Sequence, residues 1–169
     1  MADPPSPRSG KALAFALVPL VVLLDQLTKG WARMQLANPL DLGPVLNLGL
    51  SFNRGVSFGL FSADGEAGRW FLVAATGAVA AAMLIGITRV RRTGMAIALA
   101  LIAGGALGNI ADRVRQGAVT DFIDVHLGGA HWPTFNLADA AIVLGVATWL
   151  VLSARKSSEG DGALADATR

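Results

Sequence analysis

No cysteine occurs among the 169 residues, which removes disulfides, thiolate nucleophiles and zinc–thiolate sites together. Charge is scarce as well: Asp, Glu, Lys and Arg make up 15% of the chain, against about 25% in ordinary soluble domains. Hydrophobic residues make up 53% and mean hydropathy is +0.53, so the chain is too apolar to be a soluble monomer. Histidine is nearly missing. His126 and His131 are too few for a metal centre without carboxylate help, and they read as polar loop residues. The length suits one domain. The formal net charge of +2 says little until the charges are placed.

Long uncharged runs are what the chain has instead. Met1–Gly10 is rich in Pro and Ser and reads as a disordered tail. Ala12–Leu24 is wholly apolar and then meets Asp25, Lys29 and Arg33. With Arg8 and Lys11 in front it has the outline of a signal peptide, but Asp25-Gln-Leu-Thr-Lys29 stands where a cleavage site of small residues belongs, which favours an uncleaved span. Trp70–Thr88 and Thr93–Ala111 carry no charge and approach the roughly 20 residues that a spanning helix needs. Ala140–Ala154 adds a fourth. The expected spans are residues 12–31, 70–88, 93–111 and 137–154, within one membrane domain at 11–155 and a second tail at 156–169.

Basic residues set the expected orientation. Arg8 and Lys11, Arg89 to Arg92, and Arg155 with Lys156 fall on one side if both termini are cytoplasmic, as the positive-inside tendency requires. The other side then holds Asp25, Asp41, Asp64, Glu66, Asp112, Asp121, Asp124 and Asp139 beside six basic residues. Between the first two spans the pattern changes. Leu46, Leu48, Leu50 and Phe52 alternate with polar or small residues, as do Val56, Phe58 and Leu60. Period two means strands, and Asn53-Arg-Gly55 supplies a turn, so a small hairpin at the membrane surface is expected. Such a hairpin either roofs a cavity or is simply interfacial structure.

Each carboxylate has a bland explanation when read alone. Asn136-Leu-Ala-Asp139 fits a capped helix start. Asp112-Arg113 fits an ion pair at a helix end, and Asp121 a solvated loop acid. Trp70 and Trp132 fit an interfacial aromatic belt. Together, though, the acids and two asparagines crowd within about thirty residues at one depth, where ionisable groups are costly and usually functional. Paired aspartates without cysteine point to acid–base chemistry.

The boxes Asp25-Gln-Leu-Thr-Lys29, Phe52-Asn-Arg-Gly-Val-Ser-Phe-Gly59, Gly105-Ala-Leu-Gly-Asn-Ile-Ala-Asp-Arg113, Val119-Thr-Asp-Phe-Ile-Asp124 and Phe135-Asn-Leu-Ala-Asp139 resemble, in order, the signatures of the bacterial lipoprotein signal peptidases (signal peptidase II). The likeness spans about residues 20 to 145. It implies an all-α membrane fold of four transmembrane helices with a small extracytoplasmic β-hairpin or cradle. It also implies an aspartyl endopeptidase of the inner membrane, acting on diacylglyceryl-modified prolipoproteins just before the lipidated cysteine. Asp121 and Asp139 match the catalytic acids. Asn53, Asn109, Arg113 and Asn136 match positions lining the substrate site, while Asp25, Lys29, Asp112 and Gly55 match supporting ones. Asp124 could be mistaken for the catalytic acid, and the box alignment argues against it. No cofactor or metal is implied, the partners are the prolipoprotein and membrane lipid rather than nucleic acid, and the protein is expected to be a monomer.

The chemistry suits these residues. Two close carboxylates cannot easily both ionise, so a dyad shares one proton, one member acting as base on water while the other donates to the scissile carbonyl. The sequence does not say which of the two holds the proton, though the dipole at the start of the fourth span favours Asp139 as the base. Two rivals stay open: a small exporter, which would place an acid mid-span, and an assembly protein whose acids merely cap helices.

Overall fold

A computed structural model describes residues 7–55 and 65–166, with side-chain surroundings from 10 to 154. In chain order its elements are α1 (Pro7–Gln35), β1 (Leu40–Asp41), β2 (Leu46–Asn53), α2 (Glu66–Arg89), α3 (Thr93–Gln116), β3 (Val119–Leu127), β4 (Ala130–His131) and α4 (Leu137–Asp166). Every helix contains a stretch long and apolar enough to cross a bilayer. The helices outrun the uncharged segments. Helix α1 starts within the expected tail, and α3 continues through Asp112 and Arg113, so that pair lies inside the helix instead of ending it. Helix α4 runs on past residue 155, into the second expected tail. The anticipated strand at Val56, Phe58 and Leu60 lies outside the described residues.

Helix α3 is the axis of the fold, enclosed by α1, α2 and α4 while those three keep much of their surface outward. Outward Leu, Val and Phe are what lipid-facing helices present. Small residues explain the central position. A side chain at Gly104 would stand 2.8 Å from Cβ of Val21 on α1. One at Gly105 would run into the carbonyl oxygen of Ala138 on α4. On the other side of that contact, a side chain at Gly145 would stand 2.7 Å from the Ala98 carbonyl oxygen. Helix association within lipid depends on such close approach, because lipid tails are as apolar as the side chains. Ala14, Val18, Ile87, Leu99 and Ala103 fill the seam of α1, α2 and α3.

Above the bundle lies a four-stranded antiparallel sheet in the order β1-β2-β3-β4. The expected strand at Leu46–Asn53 is present as β2, but its described partners are β1 and β3. The β2–β3 register shifts between Leu48 and Ser51, then sets Ser51 opposite Asp121. A second hairpin joins β3 to β4 through Gly128 (φ 57°) and Gly129 (φ 84°), the two left-handed residues of a type I′ turn. The chain then returns along β3: Phe135 accepts from the amides of Phe122 and Ile123 and donates to the Ile123 carbonyl. That return places the start of α4 beside Asp121. Phe122 anchors the sheet against Ala32 and Leu36 at the end of α1.

Candidate active site

Asn136 precedes the first residue of α4, where helix amides lack internal partners. Its side-chain oxygen accepts from the Asp139 amide at 3.0 Å, and Asp139 Oδ2 accepts from the Asn136 amide at 3.2 Å. This is a capping box, built with Asp in place of the usual Glu or Gln. The bland explanation of Asp139 is therefore true but incomplete, because its other oxygen accepts from Asn109 Nδ2 of α3 at 2.8 Å.

Asp121 is buried, 2% exposed, which excludes the solvated-acid reading. Asn136 Nδ2 donates to its Oδ1 at 2.6 Å and also to Asn109 Oδ1 at 3.3 Å. The two asparagines thus form a bridge whose ends hold the two carboxylates. Burial pushes the Asp121 carboxyl up to about 6, with the charge of Asp139 adding to the rise and hydrogen bonds from Asn136 and Asn53 opposing it. Asp124 stands apart. It is hydrogen-bonded to His131 Nδ1 at 2.9 Å, which holds its carboxyl below the ordinary range.

Beneath the bridge lies a buried ionic layer. Lys29 has no exposed surface. It donates to Asn109 Oδ1 at 2.8 Å and pairs with Asp25 at 2.9 Å and Asp112 at 3.5 Å. Asp25 also accepts from the Ala138 amide at 3.0 Å, which ties α1 to the first turn of α4. Asp112 accepts from the Thr120 amide at 2.9 Å, fixing β3 one residue before Asp121. The hydrogen-bond and ion-pair partners of Asp112 thus lie on α1 and β3. Buried charges persist when paired and hydrogen-bonded, and here they lock four elements around the bridge.

A cavity of about 760 Å³ opens over the carboxylates, lined by Asn53, Gly55, Asn109, Arg113, Asp121 and Asp139 on its polar side. Ile142, Val143 and Leu144 of α4 supply apolar wall, and Trp132 to Phe135 cover one rim. Arg113 Nη2 donates to the Gly55 carbonyl at 3.0 Å, whereas its buried Nε has no partner among the described residues. Gly55 is itself held by an Asx turn, its amide donating to Asn53 Oδ1 at 3.0 Å. The expected polar residues therefore divide cleanly. Asn53, Gly55, Asn109, Arg113, Asp121 and Asp139 meet at the cavity; Asn136 orients three of them, Asn109, Asp121 and Asp139; Asp25, Lys29 and Asp112 lie below.

The family model described as "Signal peptidase (SPase) II" matches residues 17–155. This chain belongs to the signal peptidase II family. It is a membrane peptidase, and removal of signal peptides from prolipoproteins is the activity of that family. A curated protein of Sphingopyxis alaskensis named "Lipoprotein signal peptidase" is 44% identical over 168 residues, covering 96% of this chain and 94% of its own. Another of that name, from Methylobacterium sp. (strain 4-46), is 42% identical over 156 residues, covering 90% and 94% respectively. A solved structure described as "Bacterial membrane enzyme structure by the in meso method at 2.3 A resolution" superposes with TM-score 0.77 at 27% identity, covering 88% of this chain and 91% of that one. The peptidase is thus a multi-pass inner-membrane protein.

Several residues of the site escaped the sequence reading. Gln26 donates to the Gly108 carbonyl and to both Asp25 and Asp112. Arg33 donates to Thr120 Oγ1 at 2.9 Å and approaches Asp112 at 3.7 Å. Arg33 could have been found, because Asp25, Lys29 and Arg33 are spaced by four and form one stripe. Trp132 needs more than the interfacial role expected of it, since it lines the cavity.

Proposed function

We propose that Asp121 and Asp139 are the catalytic pair of this peptidase. The observation carrying this reading is the Asn109–Asn136 bridge, which holds one carboxylate at each end and both at the floor of one cavity. Four carboxylates (Asp25, Asp112, Asp121, Asp139) face three cations (Lys29, Arg33, Arg113) in this region. One shared proton restores balance, and Asp121, pushed up to about 6, is the group suited to hold it. Asp139 then takes a proton from the attacking water while Asp121 donates to the scissile carbonyl oxygen. As the tetrahedral intermediate collapses, Asp139 returns its proton to the leaving amide nitrogen and Asp121 recovers its own. The unpartnered Arg113 Nε and the Asn53 amide are placed to hold the substrate backbone in attack geometry.

The substrate is a diacylglyceryl-modified prolipoprotein cut just before the lipidated cysteine, with acyl chains lying against the apolar α4 wall of the cavity. Both termini face the cytoplasm, the site opens on the extracytoplasmic side, and the enzyme works as a monomer among membrane lipids. Supporting this reading are the basic clusters and the apolar lining of a site at membrane depth. Globomycin is expected to block the aspartate pair.

A gel-shift assay with a diacylglyceryl prolipoprotein and purified enzyme in detergent tests this. Asp121→Asn and Asp139→Asn should each remove nearly all turnover, and the double variant should be little worse, as for residues acting as a unit. Asp124→Asn should keep substantial activity. Normal cleavage by Asp121→Asn beside a dead Asp124→Asn would overturn the assignment.

A further inference from the structure

Outside the cavity, three groups with metal-ligand chemistry converge where β3 meets β4. Asp124 and His126 are two apart on β3 and so share a face, and His131 of β4 is the register partner of His126. One potential ligand atom from each of the three lies within 4.8 Å of the other two. The imidazoles stack with centroids 4.9 Å apart. His131 Nδ1 lies 2.9 Å from Asp124 Oδ1. His126 Nδ1 is buried yet without a hydrogen-bond partner among the described residues. Asn47, opposite Asp124 on β2, adds a further polar residue to the same face.

A polar nitrogen that is buried and unpaired beside a second imidazole and a carboxylate is poorly explained as hairpin structure alone, because such a group ordinarily finds a partner. We propose that Asp124, His126 and His131 form a binding site for a zinc-class divalent ion, which clasps the β3–β4 hairpin. Two imidazole nitrogens and one carboxylate oxygen form a three-ligand set suited to borderline ions such as Zn²⁺, with water completing the shell. Bonds of about 2.0–2.2 Å require the donors to draw closer than 4.8 Å. His131, whose side chain is 54% exposed, is free to make that movement. Both histidines, expected in loops, lie instead on strands, His126 on β3 and His131 on β4. The site is independent of the catalytic carboxylates, whose chemistry it does not enter. Its mechanical consequence is local: His131 directly precedes Trp132, Pro133, Thr134 and Phe135, which line the cavity rim. An ion joining β3 to β4 would therefore stiffen that rim.

Full-length, untagged enzyme in detergent, stripped with EDTA and titrated with ZnCl2 by calorimetry, tests the site. One equivalent should bind at neutral pH, and His131→Ala or His126→Gln should weaken binding by at least tenfold. Asp121→Asn should bind as the wild type does. Co²⁺ substitution in the unmodified protein provides a readout that needs no variant: visible d–d bands of an imidazole-ligated centre should appear and be displaced by Zn²⁺. Hydrogen exchange of the amides from Leu127 to Trp132 should slow when Zn²⁺ is added. Absence of saturable binding, or binding unchanged in both His131→Ala and His126→Gln, overturns the site. Binding without slower exchange overturns the clasp.

Discussion

Asp121 and Asp124 are three residues apart on one strand and have opposite acidities. The cause is surroundings, not chemistry: Asp121 is buried near a second carboxylate, whereas Asp124 is held by an imidazole. The Asp121 value of about 6 lies above its ordinary 3.8. Through that window the folded state keeps a proton that the unfolded chain has shed, so stability falls as pH rises and the loss is complete above about 6. Thermal unfolding in detergent should show this slope in the wild type and a flatter one in Asp121→Asn. The second cause of the rise, the charge of Asp139, is separately testable. Infrared titration should find the Asp121 carboxyl ionising at lower pH in Asp139→Asn than in wild type. An unmoved or higher value would mean that the two carboxylates do not interact.

At the scale of elements, two devices hold the bundle together, small residues and a buried ion layer. Gly105 faces the Ala138 carbonyl so closely that no side chain fits. Gly105→Ala should destabilise the protein by about 1–3 kcal/mol, the usual cost of overpacking. Gly77→Ala, with nothing within 4 Å of its position among the described residues, should be neutral or gain up to about 1 kcal/mol from helix propensity. Melting curves of the two variants in the same detergent make the comparison; equal losses would deny α3 its role as the close-packed axis. Lys29 tests the ion layer. Lys29→Met leaves Asp25 and Asp112 without their buried cation, and removing one partner of a buried pair costs about 3–5 kcal/mol. The same variant removes the Asn109 contact, so turnover in whatever folds should drop as well.

For the whole molecule, the sheet sits over one end of the bundle and the cavity opens between them, which makes sidedness the decisive property. In the proposed orientation this end lies outside. Reporter fusions at residue 64 and residue 156 should report opposite sides, with the fusion at 156 in the cytoplasm. Both reporters on one side would end the four-span arrangement.

The spans, the alternation in β2 and the candidate acids were legible in the chain because each is a local pattern: an uncharged run of membrane length, a period of two, a cap motif. Asp139 and Asn136 could be read as a helix start from their spacing alone, and Asp25, Lys29 and Arg33 share a stripe by helical geometry. Only the tertiary structure decided what those residues meet. Asp121 comes within one asparagine of Asp139 because Phe135 pairs back onto Ile123, a contact across a hairpin whose Gly-Gly turn gave no clue to where the chain would return. Helix α3 extends through Asp112 because Lys29 and the Thr120 amide satisfy its carboxylate inside the bundle, and those partners are 83 and 8 residues away. Local patterns follow from bond geometry and solvent, and the sequence displays them directly. Partners distant in the chain are chosen by packing, which is a property of the folded whole.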